Sequence, residues 1–482
     1  MRKFNNLNSL KIVLVALVAL FASCKKNNQD IAVTQNPSTG LSDIEFWTTS
    51  GNRAFLFRKS AAGLSFGTDT NTVPVIEIDT TQQFQSIDGF GYALTGGSAY
   101  LMNQKLNAAQ RDTLINELFR TDKNNIGISY LRISMGASDL DDHVFSYDDL
   151  LPGQTDIALA RFSLDPDRQN LIPVLKQILA VRPGLKIMGS PWSAPAWMKT
   201  NNSTIGGSLK PEYFPVYADY FVKYIQGMAK EGIPIDAVTL QNEPENPNNN
   251  PSLVMTAQEQ ANFVKNALGP AFQAANLTTK IVVYDHNCDH PGYPIAILND
   301  PDAKKYIDGS AFHLYSGNIE ALSEVHDTYP DRSVYFTEQW TSPNGDFEGD
   351  LRWHTKNLII GATRNWSRNV VEWNLAADPA FKPHTDGGCT ECMGALTIGN
   401  TVSRNVSYYI IAHASKFVRP GSVRVASNIT DGLPNVAFVT PGGKKVLIVL
   451  NDTAGSKTFG IKFKGKSATA SLPAGSVGTF VW

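Results

Sequence analysis

One rhythm constrains this chain more than any other feature. From Phe84 onward, short β-rich runs alternate with longer stretches of helical pattern. The runs are F-Q-S-I-D-G-F-G-Y-A-L-T (84–95), I-S-Y-L-R-I-S-M-G (128–136), L-K-I-M-G-S-P-W-S (185–193) and I-D-A-V-T-L-Q-N-E (235–243). They continue as K-I-V-V-Y-D-H-N (280–287), G-S-A-F-H-L-Y-S (309–316), S-V-Y-F-T-E-Q-W (333–340) and N-V-V-E-W-N-L-A (369–376). Between them, segments such as 108–119, 171–181, 213–229 and 257–268 repeat apolar residues at three- and four-residue spacing, the period of a helix with one buried face. Eight strands alternating with helices over ~300 residues is the count and size of a (β/α)8 TIM barrel.

The runs share a second property. Most are apolar at the front and polar or aromatic at the end: R-I-S, S-P-W-S, Q-N-E-P, D-H-N, H-L-Y, E-Q-W, W-N. In such barrels the C-terminal strand ends and the loops that follow them form the active site. The sequence therefore describes a pocket at one end of the ring.

Past His413 the pattern changes to strand-like runs separated by Gly, Asp and Pro turns: 423–428, 434–440, 444–452, 457–464 and 476–482. This reads as a small antiparallel β-sandwich. The early runs F-L-F-R (55–58) and V-P-V-I-E-I-D (73–79) have no helical partners and are expected to join it. The expected domains are residues 42–80 and 413–482 in the sandwich, with 81–412 as the catalytic barrel.

Residues 1–24 read as a targeting segment. Arg2, Lys3 and Lys11 precede an apolar run from Ile12 to Ala22 that is too short to span a bilayer as a mature helix. It closes on F-A-S-C, which resembles a bacterial lipoprotein signal with Cys24 as the lipidated residue. The polar stretch 25–41 reads as a flexible tether. The expectation is an exported protein, lipid-anchored to a bacterial membrane through Cys24. In that setting the C-T-E-C of Cys389 and Cys392 reads as a short-loop disulfide rather than half of a zinc site. His286, Cys288 and His290 read as a polar loop after a strand, because no further ligand completes a metal set.

The net charge is −2, and no Lys/Arg block marks a nucleic-acid partner. No phosphate-cradling glycine loop or metal constellation stands out, so no cofactor is expected. Eight Trp and sixteen Tyr supply surfaces on which sugars can stack.

Glu243 ends the fourth run and Glu338 falls near the end of the seventh. In an eight-stranded ring these two ends lie across the mouth. Two carboxylates facing each other over a groove meet the requirement of glycoside hydrolysis. The segments that carry them, L-Q-N-E-P (240–244) and F-T-E-Q-W (336–340), stand in order with L-R-I-S-M-G-A-S-D-L (131–140), S-P-W-S-A-P-A-W-M-K-T (190–200), F-H-L-Y (312–315), E-W-N-L-A (372–376) and H-A-S-K-F-V-R-P-G-S (413–422). This ordered set resembles glycoside hydrolase family 30, the family of glucosylceramidases and β-1,6-glucanases.

The resemblance implies a retaining enzyme with Glu243 as general acid/base and Glu338 as nucleophile. It implies a raised pKa on Glu243, helped by the charge of Glu338. It places Asn242 on the sugar 2-hydroxyl and Tyr315 on the nucleophile, with His313 and Arg132 lining the same floor. Asp139, Trp192 and Trp373 would recognise the non-reducing sugar. Glu245 reads as a loop residue outside the site. The eighth loop, H-T-D-G-G-C-T-E-C, looks like the β-1,6-glucanase branch, with Cys389 and Cys392 as a staple beside the leaving-group side. The expected substrate is a β-1,6-glucan and the expected state a monomer. The alternatives are a glucosylceramidase or exo-acting β-glucosidase, and a non-catalytic glycan-binding lipoprotein.

Overall fold

Strands separated by helices can pair only in parallel, and a parallel sheet covered by helices can close on itself. The structure, a computed structural model describing residues 42–68 and 72–482, shows that closure. The barrel strands are β1 (Gly89–Ala93), β2 (Tyr130–Met135), β3 (Lys186–Pro191) and β4 (Ala237–Thr239). They continue as β5 (Lys280–Cys288), β6 (Ile307–Gly317), β7 (Ser333–Glu338) and β8 (Ser367–Glu372). Each pairs with its neighbour in sequence, and β8 pairs with β1 to complete the ring. All eight lie on runs read from the sequence.

The helices follow from their residues. Helix Phe214–Lys230 buries Tyr217, Tyr220, Phe221, Tyr224, Ile225 and Met228 along one stripe. Asn107 with Gln110, and Thr256 with Glu259, form capping boxes that start two others. Each such cap contributes about 1 kcal/mol.

Inside the ring, one side chain from each of β2 to β8 meets the others: Tyr130, Met188, Ala237, Val282, Ala311, Tyr335 and Val371. This is an apolar plug, with large and small residues filling the lumen. Residues two apart in a strand share a face. Two positions further along stand Arg132, Ser190, Thr239, His313, Thr337 and Trp373. The lumen therefore turns polar in a single step, toward the C-terminal ends of the strands.

The chain's two ends build the second layer. Strand Glu45–Thr49 pairs with Val477–Val481. The ten-stranded sheet runs on through Lys445–Leu450, Asn435–Val439, Val423–Ser427 and Val75–Ser86 to Lys457–Phe463. It curls into a sandwich, so that Phe46 stacks on Phe480 at 5.4 Å while Phe459 meets Phe480 edge-on at 5.8 Å.

Two expected boundaries move. The strand Val75–Ser86 runs through position 80, because Ser86 still pairs with Val423. Position 412 lies inside helix Val406–Ser415, whose last turn carries His413 into hydrogen-bonding distance of Thr49 and Thr479 in the sandwich. Of the run 55–58 only Arg58 is strand, in the short strand Arg58–Lys59, because Phe57 takes a left-handed φ of 47° that breaks the extended backbone before it. The signal, Cys24 and the tether lie outside the described residues. No helix among the described residues is long and apolar enough to cross a membrane.

Candidate active site

Glu243 sits just beyond β4 on a backbone bend. Its φ is 47°, a left-handed conformation rare for a residue with a side chain. The bend is held from both sides: Asn242 N donates to Pro191 O at 2.8 Å and Glu243 N to Asp285 O at 2.9 Å. It brings the Glu243 carboxylate over the lumen, where Asn246 Nδ2 donates to Oε2 at 2.8 Å. Glu338, the last residue of β7, faces it. One oxygen of each carboxylate and a ring nitrogen of His313 lie within 4.8 Å of one another. His313 Nδ1 stands 3.4 Å from Glu243 and 3.8 Å from Glu338.

Glu338 is held by two donors, Arg132 Nη1 at 2.7 Å and Tyr315 OH at 3.0 Å. The Arg132 guanidinium is fully buried. It also donates from Nε to Ser190 and from Nη2 to Asn242 Oδ1 and Asp285 Oδ2. Its Cζ lies 4.8 Å from the centre of the Trp192 ring, and Trp192 stacks on Trp373 at 5.4 Å. Asp139 closes this corner, accepting from Cys389 N at 3.2 Å. Every residue expected in the site is thus gathered at one end of the barrel. Both glutamates and Asp139, Trp192 and Trp373 are buried, and Tyr315 remains partly open to solvent.

Sequence comparison agrees with this arrangement. The profile of the glycosyl hydrolase family 30 TIM-barrel domain matches residues 87–418, and that of the family 30 beta sandwich domain matches 421–480. The chain belongs to glycoside hydrolase family 30. This family 30 hydrolase is 34% identical over 426 residues to an endo-1,6-β-D-glucanase of Aspergillus fumigatus, covering 82% of this chain and 85% of that one. It is 30% identical to a putative glucosylceramidase of Caenorhabditis elegans, over 84% of this chain and 81% of the relative. A solved endo-β1,6-glucanase superposes with a TM-score of 0.86 at 35% identity, covering 92% of this chain and 99% of the other.

Electrostatics in this family 30 site depart from the expectation for Glu243. Burial by itself raises its pKa, but the proximity of His313, 3.4 Å away, outweighs burial and lowers it to about 2. Burial disfavours a charged His313, yet the charge of Glu338, the bond to Asp285 and the nearby Glu243 push it up to about 9. The two shifts run in opposite directions and together favour a charged His313 beside an ionised Glu243. Glu338 is raised by burial, while His313 and Arg132 pull it back. The two donors on its oxygens match the ionised form. Asp139 is raised to about 7, by burial first and by the charge of Glu338 second.

The eighth loop also differs from expectation. Cys389 and Cys392 are joined, with Cα atoms 5.7 Å apart. The disulfide packs with Trp192, Trp373 and Leu140, the residues of the corner expected to receive the non-reducing sugar. Thr385 N donates to Asp139 O at 2.9 Å, and a Cβ on Gly388 would lie 2.4 Å from that same carbonyl. The second glycine of H-T-D-G-G is needed for this close approach. Glu245 turns away from the site: its Oε2 lies 3.0 Å from His290 and 3.7 Å from His286.

One residue of the site escaped the sequence reading. Asp285 is fully buried beneath both glutamates. It accepts from Arg132, from Thr239 at 2.7 Å and from Thr337 at 2.7 Å, and its Oδ1 lies 3.1 Å from His313 Nε2. Burial alone would raise it, but the charge of Arg132 holds its carboxyl well below the usual range.

Proposed function

We propose that this family 30 hydrolase is a retaining endo-β-1,6-glucanase. The observation that carries the reading is the approach of Glu243 and Glu338 to within 4.8 Å across the ends of β4 and β7. Retaining enzymes separate their carboxyl groups by roughly 5–5.5 Å, whereas inversion needs roughly 6.5–9.5 Å to admit a water. Glu338 attacks the anomeric carbon as Glu243 gives a proton to the leaving oxygen. Water, deprotonated by Glu243, then breaks the glycosyl ester and restores Glu338. Asn242 receives the 2-hydroxyl; Asp139, Trp192 and Trp373 receive the sugar on the non-reducing side.

The position of the proton supports this sequence of events. His313 is protonated largely because Glu338 is negative. Attack on the sugar removes that charge, so His313 binds its proton less tightly as the leaving oxygen needs one. Glu243 stands 3.4 Å from His313 and can pass it on.

The substrate is argued from the relatives and the eighth loop. The matched Aspergillus fumigatus protein and a second from Neurospora crassa are both named endo-1,6-β-D-glucanases. The test is product analysis on linear β-1,6-glucan, with Glu338→Gln as blank and an aryl β-glucoside in parallel. A ladder of β-1,6-linked oligosaccharides is the expected result. Glucose from the aryl glucoside with the polymer untouched moves the enzyme to the glucosidase or glucosylceramidase reading. Export and lipidation on Cys24 belong to the same proposal, on the strength of the apolar run ending in F-A-S-C. Radiolabelled palmitate should be incorporated by the wild type and not by Cys24→Ala.

A further inference from the structure

The opposite end of the molecule holds a second feature. A cleft of about 610 Å³ opens where loops at the N-terminal end of the barrel meet the hairpin turn of the sandwich. Its lining includes Lys123, Arg182, Lys416, Arg419 and Lys444. Glu45 also lines it, but that carboxylate is bound to Lys59 at 2.7 Å.

Backbone carbonyls account for part of this charge. Lys416 Nζ donates to the carbonyls of Thr121, Lys123 and Asn125, each at 2.8 Å. Arg419 Nη1 donates to the carbonyls of Gly127 and Ser415. Two donors of the arginines remain without such a partner among the described residues. Arg182 Nε and Arg419 Nη2 are both buried, with no hydrogen-bond partner among the described residues. Burial lowers the pKa of Arg182. Arg419 is lowered to about 9, by burial first and by the charge of Arg182 second. Two guanidinium groups thus repel each other at the edge of a cavity, with donors left over. A buried, unpaired donor on a charged group is costly, and the cost is relieved by a charged acceptor.

We propose that this cleft is an oxyanion site in which Arg182 and Arg419 together hold a phosphate or sulfate group. Arginine suits tetrahedral oxyanions because its fork presents parallel N–H donors. Lys444 and Lys123 at the rim add long-range attraction. The site is independent of the glutamates and of the sugar.

The test is titration calorimetry of the whole enzyme with inorganic phosphate, at an ionic strength held constant with chloride. The wild type should give saturable binding, and Arg182→Gln should weaken it at least tenfold while β-glucan hydrolysis stays as in the wild type. Absence of saturable binding overturns the proposal, as does an unaltered Kd in Arg182→Gln. Should that variant fail to fold, Lys444→Glu decides. Lys444 is exposed in the hairpin turn, so its substitution spares the packing. Weakening of several-fold is expected, and an unaltered Kd overturns the site. Vesicles of phosphatidylglycerol identify the source of the anion. Recruitment lost in Arg182→Gln assigns it to a lipid headgroup; phosphate binding without recruitment assigns it to a free ion.

Discussion

Asp285 Oδ2 accepts a 2.8 Å hydrogen bond from Arg132 Nη2, and neither side chain has any exposure to solvent. The pair couples the site's two glutamates. Arg132 reaches on to Glu338, while Asp285 reaches through His313 toward Glu243. Replacing Asp285 with Asn keeps the shape and removes the charge. Breaking one partner of a buried pair typically costs about 3–5 kcal/mol. His313 also loses one of the charges that keep it protonated. The alkaline limb of kcat/KM should then move to lower pH, and denaturant unfolding should show the stability loss. An Asp285→Asn enzyme with the wild-type pH profile would remove Asp285 from the proton relay.

The three glutamates near β4 and β7 should separate cleanly. Glu338→Gln removes the nucleophile and should abolish turnover with the fold intact by circular dichroism. Glu243→Gln should lower kcat on the glucan by about 10²–10⁴-fold, the usual share of a general acid. It should lose less on an aryl glucoside whose leaving group needs no proton. Glu245 faces His290 rather than the lumen, so Glu245→Gln should leave the kinetics unchanged. Full turnover by Glu338→Gln would falsify the assignment of the pair.

The Cys389–Cys392 loop should act on sugar recognition. It delivers a backbone N–H to Asp139 and packs its sulfurs against Trp192 and Trp373. A bond closing so short a loop restrains the unfolded chain little. Replacing both cysteines with serine should therefore raise KM by up to about tenfold, the worth of one hydrogen bond to a charged group. The thermal midpoint should move by only a few degrees at most. A change in leaving-group preference at constant KM would contradict this placement.

Much of this was legible because barrels obey simple periods. Most of the eight runs showed apolar fronts and polar ends, and the structure makes each run a strand of the closed barrel. Asp285 was hidden for a reason that period alone cannot show. On β5 the position two beyond the plug residue Val282 is Tyr284, so strict alternation would aim Tyr284 into the lumen. Both Tyr284 and Asp285 instead take positive φ, at 72° and 70°, and the register with β6 shifts between Ala311 and Phe312. The bulge turns the acid inward. The protonation of Glu243 was misjudged for a related reason. His313 lies 70 residues downstream in sequence, and only the closed ring sets its ring nitrogen between the two carboxylates.

His413 ties the two domains and should set part of the enzyme's acid sensitivity. It is fully buried in the last turn of helix Val406–Ser415, with Nδ1 2.8 Å from Thr479 Oγ1 and Nε2 2.9 Å from Thr49 Oγ1. Burial lowers its pKa from 6.5 to about 3, so the folded protein keeps it neutral. The unfolded chain takes up a proton near pH 6.5 and the folded one does not. Its contribution to stability is therefore complete above that pH. It falls by about 1.4 kcal/mol per pH unit as the pH drops toward the folded value. A His413→Asn variant loses contacts at neutral pH but has nothing to titrate there. Between pH 6.5 and 4, urea unfolding should show the wild type losing about 3 kcal/mol more than the variant. Depressed carboxyls such as Glu243 and Asp285 also lose stability on acidification, but they do so equally in both proteins. Parallel curves for the two proteins would mean that His413 accepts a proton without unfolding, and that the contact between helix and sandwich tolerates the charge.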